Sequence, residues 1–432
     1  MIVYSENITP RLRYIADFFA AEISIEPWNL TTSISEFAQS QDAKINYSNQ
    51  LVNCNCIKIK PEKLLFENTI FPINISCTDV DGQKVFFKND SEPGFDIFAA
   101  SFYLLSRYEE YLPHAKDEYG RYPHEISLAF KEGFLQKPLV NIWVERFKEL
   151  IREKFPAYQF KKKEFTFLPT YDIDMARSYE YKGFARNTAN FLKDFLTARF
   201  ADFSRRYKVL TGVEKDPFNT FDWLDEIHET YNLNPFYFFL VAEKRSEKDK
   251  NISPHHILMK KLITGIAKKY RIGLHPSWRS NDDKKILESE KKILETITAS
   301  PIVASRQHYL RLSVPETYRS LLQCGIKADY TLGYSGDNGF RASVASPFKW
   351  YDLQNETVTE LVLYPFCFME GTSIFYKKQT PEEALLELKM LYKNVREVNG
   401  FFSMIWHNSS LSNMNEYKGW RKVYEHFIKA VK

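Results

Sequence analysis

Two aspartates separated by one residue stand where a predicted strand ends. Asp172 and Asp174 follow the apolar run 165–169, in the order Thr170-Tyr171-Asp172-Ile173-Asp174. Alternate side chains of extended backbone share a face, so both carboxylates point the same way. Two like charges about 5–7 Å apart are costly unless a cation or a base role uses them. Taken alone, the pattern fits both a reactive pair and a strand end followed by an aspartate helix cap.

Polar side chains recur at the ends of later predicted strands. They are His275 and Trp278 after the third strand, Arg306 and His308 on the fourth, Arg341 after the fifth, Glu370 after the sixth and His407 at the seventh. The C-terminal strand ends of a parallel barrel are where such folds place reactive groups. One strand-end histidine is more often an ordinary buried side chain, but three of the nine at successive strand ends favour a site.

Aspartates and imidazoles that face one point are typical ligands of zinc or a similar divalent ion. Such an ion could polarise a carbonyl oxygen and activate a bound water. An aspartate that is not a ligand could then take the proton of the water, and a histidine on the opposite side could protonate the leaving group. Arg341 could orient the base or bind an anionic group. The residues therefore predict metal-assisted hydrolysis.

The elements that must position these groups follow an alternating pattern from residue 165 onward. The predicted strands are Phe165–Tyr171, Pro235–Val241, Arg271–Leu274, Ser305–Leu310, Ala328–Leu332, Leu361–Phe366 and Phe401–Trp406. The predicted helices between them are Trp223–Tyr231, His255–Lys269, Asp282–Thr298, Pro315–Gln323 and Pro381–Val398. Seven strands alternating with helices favour an α/β fold with a parallel sheet or a closed barrel over 165–432.

Residues 1–160 are predicted to form a separate, smaller α/β domain. It ends before the charged run Lys161-Lys162-Lys163-Glu164, which is typical of a solvated linker. A chain of 432 residues with 44% apolar content is long enough for two or three domains with substantial cores.

Charge and cysteine content narrow the class of protein. The net charge is +4 and the basic residues are scattered, which argues against nucleic acid as the main partner. The five cysteines are irregularly spaced, as expected of free thiols in a reducing compartment. No run approaches the roughly 18–20 apolar residues of a membrane span. We therefore expect a soluble, cytoplasmic protein, and the oligomeric state stays open.

The order of these motifs resembles the NodB-type polysaccharide deacetylase family. The resemblance covers 165–432 and rests on 170–174, His275-Pro276-Ser277, Gly339-Phe340-Arg341 and Trp406-His407-Asn408. Residues 102–110 and 120–123 look like the N-terminal domain that accompanies one bacterial branch of such proteins. The resemblance implies a distorted (β/α)7 barrel and a metal-dependent hydrolase that removes N- or O-acetyl groups from glycans.

The resemblance also implies a role for individual residues. Asp172 corresponds to the catalytic base, Asp174 to the metal-binding aspartate, His275 to the first metal-binding histidine, Arg341 to the arginine that positions the base, His407 to the general acid and Asp352 to the carboxylate paired with that acid. Four positions depart from the family pattern, Pro276 and Asn408 among them, and the other two concern the metal site. Ile173 separates aspartates that are usually adjacent, and Arg279 stands where the second metal-binding histidine is expected.

The departure at Arg279 leaves three arrangements open. His308 could complete the metal site, or the metal could bind weakly through fewer ligands. Alternatively, the protein could work without metal, with Arg279, Arg306 and Arg311 making the cleft suitable for an anionic substrate. Surface salt bridges are an equally good explanation of these arginines.

The first hypothesis is a zinc-dependent deacetylase of an acetylated sugar or glycan precursor. Substrate contacts are expected from Trp278, Arg279, Arg306, Glu370 and Asp352. A second hypothesis is a non-catalytic glycan-binding or assembly protein on a degenerate barrel. A third is a metal-free amidohydrolase that acts on the C–N bond of a small cyclic amide.

Overall fold

The computed structural model describes residues 1–181 and 200–432. Residues 1–160, called the N-terminal region here, contain a four-stranded parallel sheet in the order β2-β1-β3-β4. Its strands are β1 (Ile2–Tyr4), β2 (Asn29–Thr31), β3 (Lys44–Tyr47) and β4 (Ile57–Ile59), followed by the hairpin β5 (Thr78–Val80) and β6 (Gln83–Val85). The helices are α1 (Pro10–Ile23), α2 (Ile34–Gln39), α3 (Ile97–Leu105), α4 (Leu128–Lys131) and α5 (Leu139–Lys154).

Local sequence signals explain where these helices begin. The side chain of Thr9 accepts from the backbone N–H of Leu12, and Pro10 starts α1. Asp96 caps α3 in the same way. Such caps satisfy backbone donors that have no partner within the helix. The core between the helices is aromatic: Phe19 lies 5.0 Å from Phe98 and 5.9 Å from Phe147, ring centre to ring centre.

The C-terminal part is built on a nine-stranded mixed sheet. Its strands are β7 (Thr166–Ile173), β8 (Phe236–Leu240), β9 (Arg271–His275), β10 (Ala304–Ser305), β11 (Ala328–Asp329), β12 (Phe348–Asp352), β13 (Thr357–Leu363), β14 (Phe368–Met369) and β15 (Phe401–His407). Their order is β12-β13-β11-β10-β9-β8-β7-β15-β14, and every pair is parallel except β12 with β13. The helices are α6 (Phe200–Leu210), α7 (Phe221–Thr230), α8 (Ile257–Ala267), α9 (Lys284–Thr298), α10 (Glu316–Gln323), α11 (Pro381–Glu397) and α12 (Trp420–Val431).

The strand ladder does not close into the expected seven-stranded barrel within the described residues. The segment 364–367, between β13 and β14, donates backbone hydrogen bonds to two different parts of the sheet. Tyr364 donates to Asp329 and Phe366 to Leu332, beside β11, whereas Cys367 donates to Ser403 on β15. One segment therefore bridges the ends of the sheet where a barrel would have a continuous ladder.

Each of the seven predicted strands overlaps a strand of the structure, and the five predicted helices are present with shifted ends. Two predicted strands are too long. β10 ends at Ser305 and β11 at Asp329, so His308 lies in a 3-10 turn, not on a strand. The hairpin partner β12 and the two-residue β14 were not predicted.

Polar contacts join the N-terminal region to the C-terminal part. The guanidinium of Arg11 bonds Glu356, and the hydroxyl of Tyr14 donates to the carbonyl oxygen of Lys349. The amide of Asn141 donates to the Ser346 hydroxyl. These contacts are buried or half-buried, so the two parts share an interface. None of the helices in 1–181 and 200–432 combines the length and the apolar character needed to cross a bilayer.

Candidate active site

A cavity of about 610 Å³ lies at the C-terminal ends of the parallel strands. The charged and titratable side chains that line it include Asp172, Asp174, His275, His308, Glu370 and His407. Parallel register explains why distant residues meet here. β15 places His407 opposite Asp172 on β7, and β8 places Leu240 opposite His275 on β9. The structure therefore brings these six side chains, from strand ends and the segments that follow them, to one cavity.

Three imidazoles surround the carboxylate of Asp174. Nε2 of His275 lies 3.1 Å from its Oδ1, while Nε2 of His308 and of His407 lie 3.4 Å and 3.5 Å from its Oδ2. Ligand atoms of Asp174, His275 and His308 all lie within 4.8 Å of one another, close enough to share one metal ion. His308 thus lies close enough to complete a metal site with Asp174 and His275, one of the three arrangements that Arg279 leaves open.

The outer nitrogen of each imidazole contacts an oxygen that can only accept. Nδ1 of His275 lies 2.6 Å from the backbone carbonyl oxygen of Arg306. Nδ1 of His308 lies 3.0 Å from a carboxylate oxygen of Asp249, and Nδ1 of His407 lies 2.7 Å from one of Glu370. Each Nδ1 must therefore carry the proton and donate it. When the imidazole is neutral, Nε2 carries no proton, and its lone pair faces a carboxylate oxygen of Asp174, which is also an acceptor.

The groups around Asp174 favour its ionised form, which would attract a cation. Burial would raise its pKa, but the charge of His308 and hydrogen bonds from His275 and His308 hold the pKa well below its ordinary value. Burial likewise opposes the charged form of His308, yet the carboxylates of Asp174 and Asp249 raise its pKa to about 9. Oδ1 of Asp174 is buried and, apart from its 3.1 Å contact with Nε2 of His275, has no hydrogen-bond partner among the described residues. A cation among these groups would satisfy that oxygen.

Glu370 holds His407 on the opposite wall of the cavity. One oxygen of Glu370 accepts from the backbone N–H of His407 at 2.7 Å, from its Nδ1 at 2.7 Å and from the hydroxyl of Ser410 at 2.6 Å. Burial would lower the pKa of His407, but the charge of Glu370 and its hydrogen bond raise it to about 10. His407 is therefore held as a proton donor whose Nε2 faces the cavity.

Asp172 is buried and receives a hydrogen bond from Arg306. Nη1 of Arg306 donates to Oδ1 of Asp172 at 2.8 Å and also contacts the Thr170 hydroxyl at 2.8 Å. The guanidinium lies 4.4 Å from the centre of the Phe238 ring, so it is fixed on two sides. Oδ2 of Asp172 lies 3.9 Å from Nε2 of His275, next to the metal-ligand group.

Two pairings inferred from sequence are wrong. Arg341 does not contact Asp172, because its guanidinium forms a bidentate bond with Glu110 of the N-terminal region, at 2.8 and 2.6 Å. Both groups are buried, and a buried guanidinium requires such a partner. Asp352 does not pair with His407, because it accepts two hydrogen bonds from Arg319 on α10. Arg306 and Glu370 hold the positions expected of Arg341 and Asp352.

Trp278 and Arg279 are not among the described residues that line the cavity. Arg279 begins a 3-10 turn, Arg279–Asn281, and lines a separate surface hollow with Glu243 and Asp283. The Trp278 ring packs edge-on against Tyr309, 5.4 Å between centres, beside the cavity mouth. The structure therefore does not support the expected substrate contacts of these two residues.

Sequence reasoning missed three residues that act on the site. Asp249 orients His308 from a loop after β8, and Tyr119 and Arg121 reach the cavity from the N-terminal region. Asp249 lies nine residues beyond the strand end, where the rule about strand ends gives no signal. The prediction of a separate N-terminal domain directed attention away from Tyr119 and Arg121.

Residues 1–156 match the model of a family of unknown function, DUF7033. No curated protein matches the chain. Among solved structures, a protein assigned as a polysaccharide deacetylase from Mycobacterium smegmatis is similar at 17% identity and TM-score 0.40, over 63% of this chain and 85% of that one.

The allantoinase Puue is similar at 13% identity and TM-score 0.39, over 62% and 84% of the two chains. A protein assigned as a polysaccharide deacetylase from Pseudomonas aeruginosa PAO1 follows at 12% identity and TM-score 0.38, over 62% and 85%. The function proposed below is derived from the geometry of this chain's own site.

Proposed function

We propose that this chain is a metal-dependent hydrolase that removes an acetyl group from a sugar or glycan precursor. The observation that carries the proposal is the set of three imidazoles whose Nδ1 atoms donate to fixed acceptors while their Nε2 atoms converge on Asp174. Outer partners of this kind are typical of metal-binding histidines, because they fix the tautomer and the ring orientation.

The residues present fit a divalent ion such as zinc. Asp174, His275 and His308 offer one carboxylate and two imidazoles, a donor set that zinc accepts in hydrolases while keeping a position open. Oδ1 of Asp174 is buried and faces Nε2 of His275 rather than a fixed donor, which supports the same fit. When bound, the ion would polarise the acetyl carbonyl and lower the pKa of a water molecule.

Asp172 is the base in this proposal. Arg306 engages its Oδ1, which leaves Oδ2 to accept the proton of the attacking water. The water oxygen forms a bond to the acetyl carbon. The C–N bond of an amide, or the C–O bond of an ester, then breaks.

His407 is the general acid. Its Nε2 faces the cavity, and Glu370 holds its Nδ1. The proton on Nε2 passes to the leaving nitrogen or oxygen. The products are acetate and a free amine or hydroxyl.

Cavity size and lining favour a carbohydrate of limited length. A volume of about 610 Å³ is within the range of small-molecule sites. Among the residues that the structure describes, five aromatic side chains line the cavity and offer faces on which sugar rings can stack: Tyr119, Tyr309, Phe375, Tyr376 and Tyr417. Phe375 and Tyr376 are partly exposed at its mouth, although exposed rings are costly in water.

The experiment is acetate release from N- and O-acetylated mono- and oligosaccharides by zinc-loaded protein. Asp172→Asn keeps the shape of the base but removes its proton affinity, so we expect acetate release to fall by about 10²–10⁴-fold. Asp222→Asn, at an exposed position of α7, is the matched control and should keep wild-type rates. Acetate release that is unchanged in Asp172→Asn would overturn the assignment.

A further inference from the structure

A loop of the N-terminal region crosses the mouth of the cavity. This loop, residues 117–122 and called the N-terminal loop here, is folded around Asp117, which accepts from the backbone N–H groups of Tyr119 and Arg121 at 2.9 Å each. Its other oxygen accepts from Nε of Arg121 at 2.7 Å. Arg121 is 4% exposed, so its guanidinium is buried and held in a fixed orientation.

Arg121 uses its remaining nitrogens to join two sides of the cavity mouth. Nη1 donates to the carbonyl oxygen of Tyr309 at 2.8 Å, and Nη2 donates to the hydroxyl of Tyr376 at 3.1 Å. Tyr309 follows β10, and Tyr376 follows β14. The N-terminal loop therefore links the turn after β10 to the segment after β14.

The turn to which Arg121 donates this hydrogen bond is strained. Tyr309 has φ 59° and Leu310 has φ 53°, two successive non-glycine residues in the left-handed region. Left-handed backbone is unfavourable for residues that carry a Cβ atom, so the turn persists only where its surroundings hold it. Besides the bond from Arg121, the ring of Tyr119 stacks on that of Tyr309 at 5.5 Å and 18°. His308 is the first residue of this turn.

The N-terminal loop also contacts the second support of His308. The ammonium of Lys248 lies 4.8 Å from the ring centre of Tyr119 and 5.3 Å from that of Tyr309. The next residue, Asp249, receives the Nδ1–H bond of His308. Side chains of the N-terminal loop therefore contact the turn that begins at His308 and also Lys248, the residue before the carboxylate that orients His308.

We infer that Arg121 and Tyr119 are positioning residues that hold His308 as a metal ligand, so that the N-terminal region completes the metal site of the C-terminal part. The inference rests on the proposed metal-dependent function. It assigns to the N-terminal region a specific task in that function. Without the brace, the strained turn relaxes and Nε2 of His308 leaves the ligand group.

The test measures zinc affinity by competition with a chromophoric chelator, with no substrate present. Arg121→Ala should weaken zinc binding by about 10–100-fold, the usual effect of losing an outer partner. In a His308→Ala background the same substitution should change affinity by less than about twofold, because the ligand it positions is already absent. The cobalt(II) absorption spectrum of Arg121→Ala should shift toward that of His308→Ala.

Controls separate positioning from general damage. Arg146→Ala removes another arginine of the same region, one bonded to Val80 and Asp81, and should leave zinc affinity unchanged. Tyr119→Leu removes the stacked ring but keeps Arg121; it should weaken zinc binding less than Arg121→Ala, and it decides the question if Arg121→Ala does not fold.

Wild-type zinc affinity in Arg121→Ala, or losses that add fully in the double variant, would overturn this inference alone. A wild-type protein that binds no zinc would overturn the proposed function as well.

Discussion

Nη1 of Arg306 donates a hydrogen bond to Oδ1 of Asp172 across 2.8 Å, and both side chains are buried. Asp172 lies on β7, and Arg306 directly follows β10. The two residues are 134 positions apart in the sequence. Nε of Arg306 also donates to the carbonyl oxygen of Tyr330. The guanidinium therefore fixes one oxygen of Asp172 and leaves the other toward the metal-ligand group.

Arg306→Gln should lower kcat for deacetylation by about 10²–10⁴-fold, because Asp172 loses the group that orients it as a base. Zinc affinity should be unchanged, since the contact of Arg306 with His275 uses the backbone carbonyl. Steady-state kinetics together with zinc titration check this. A kcat within fivefold of wild type would contradict the role given to Arg306.

Arg341→Met should act on stability and leave deacetylation by the folded protein near the wild-type rate. Its loss leaves the buried Glu110 with only Arg107 as a partner, and breaking a buried pair costs about 3 kcal/mol or more. Urea unfolding measures the change. Arg421→Met is the control: its pair with Glu425 on α12 is partly exposed and contributes less than about 1 kcal/mol. Equal effects of the two substitutions on the free energy of unfolding would contradict this prediction.

Glu370→Gln should slow deacetylation by roughly 10²-fold or more, because the amide cannot stabilise a protonated His407 as a carboxylate does. The effect should appear in kcat more than in KM. Asp352→Asn provides the comparison, since Asp352 bonds Arg319 and not His407. We expect it to retain the wild-type rate, and a loss as large as that of Glu370→Gln would show that the pairing in the structure is not the functional one.

The fold was largely predictable because its signals are local. Apolar runs separated by amphipathic segments located the seven strands, and the strand-end rule placed Asp172, Asp174, His275 and His407 at one edge. That the ladder would stay open was not predictable, because it depends on how the backbone of 364–367 divides its hydrogen bonds.

The partners of the site residues were the least predictable part. Arg341 was expected at Asp172, but Glu110 lies 231 positions away and nothing in the spacing indicates that the two meet. Asp249 and Arg121 were missed for the same reason. Buried charges need partners, and which distant residue becomes the partner depends on the folded structure. A local sequence pattern does not contain this information.

His228 should make the protein less stable in mild acid. Burial lowers its pKa from the ordinary value of 6.5 to about 4, and its Nε2 contacts the hydroxyl of Tyr171. In the unfolded chain His228 is protonated below about pH 6.5, whereas in the folded chain it is protonated only below about pH 4. The free energy of unfolding therefore decreases as the pH falls through this window. Between pH 7.5 and 5 the loss is about 2 kcal/mol.

His228→Gln removes this titration while keeping a polar atom for Tyr171. Urea unfolding at pH 7.5 and 5 should show a smaller loss in the variant than in the wild type. His255→Gln, at an exposed position, should behave as the wild type. An identical loss in all three proteins would exclude His228 as the source.

The central claim, a metal site made by Asp174, His275 and His308, is tested most directly by zinc X-ray absorption on the purified, zinc-loaded protein. We predict one zinc per chain, with nitrogen and oxygen ligands at about 2.0–2.2 Å and an imidazole signal that weakens in His308→Ala. Absence of stoichiometric zinc, or a zinc spectrum that His308→Ala leaves unchanged, would contradict the account.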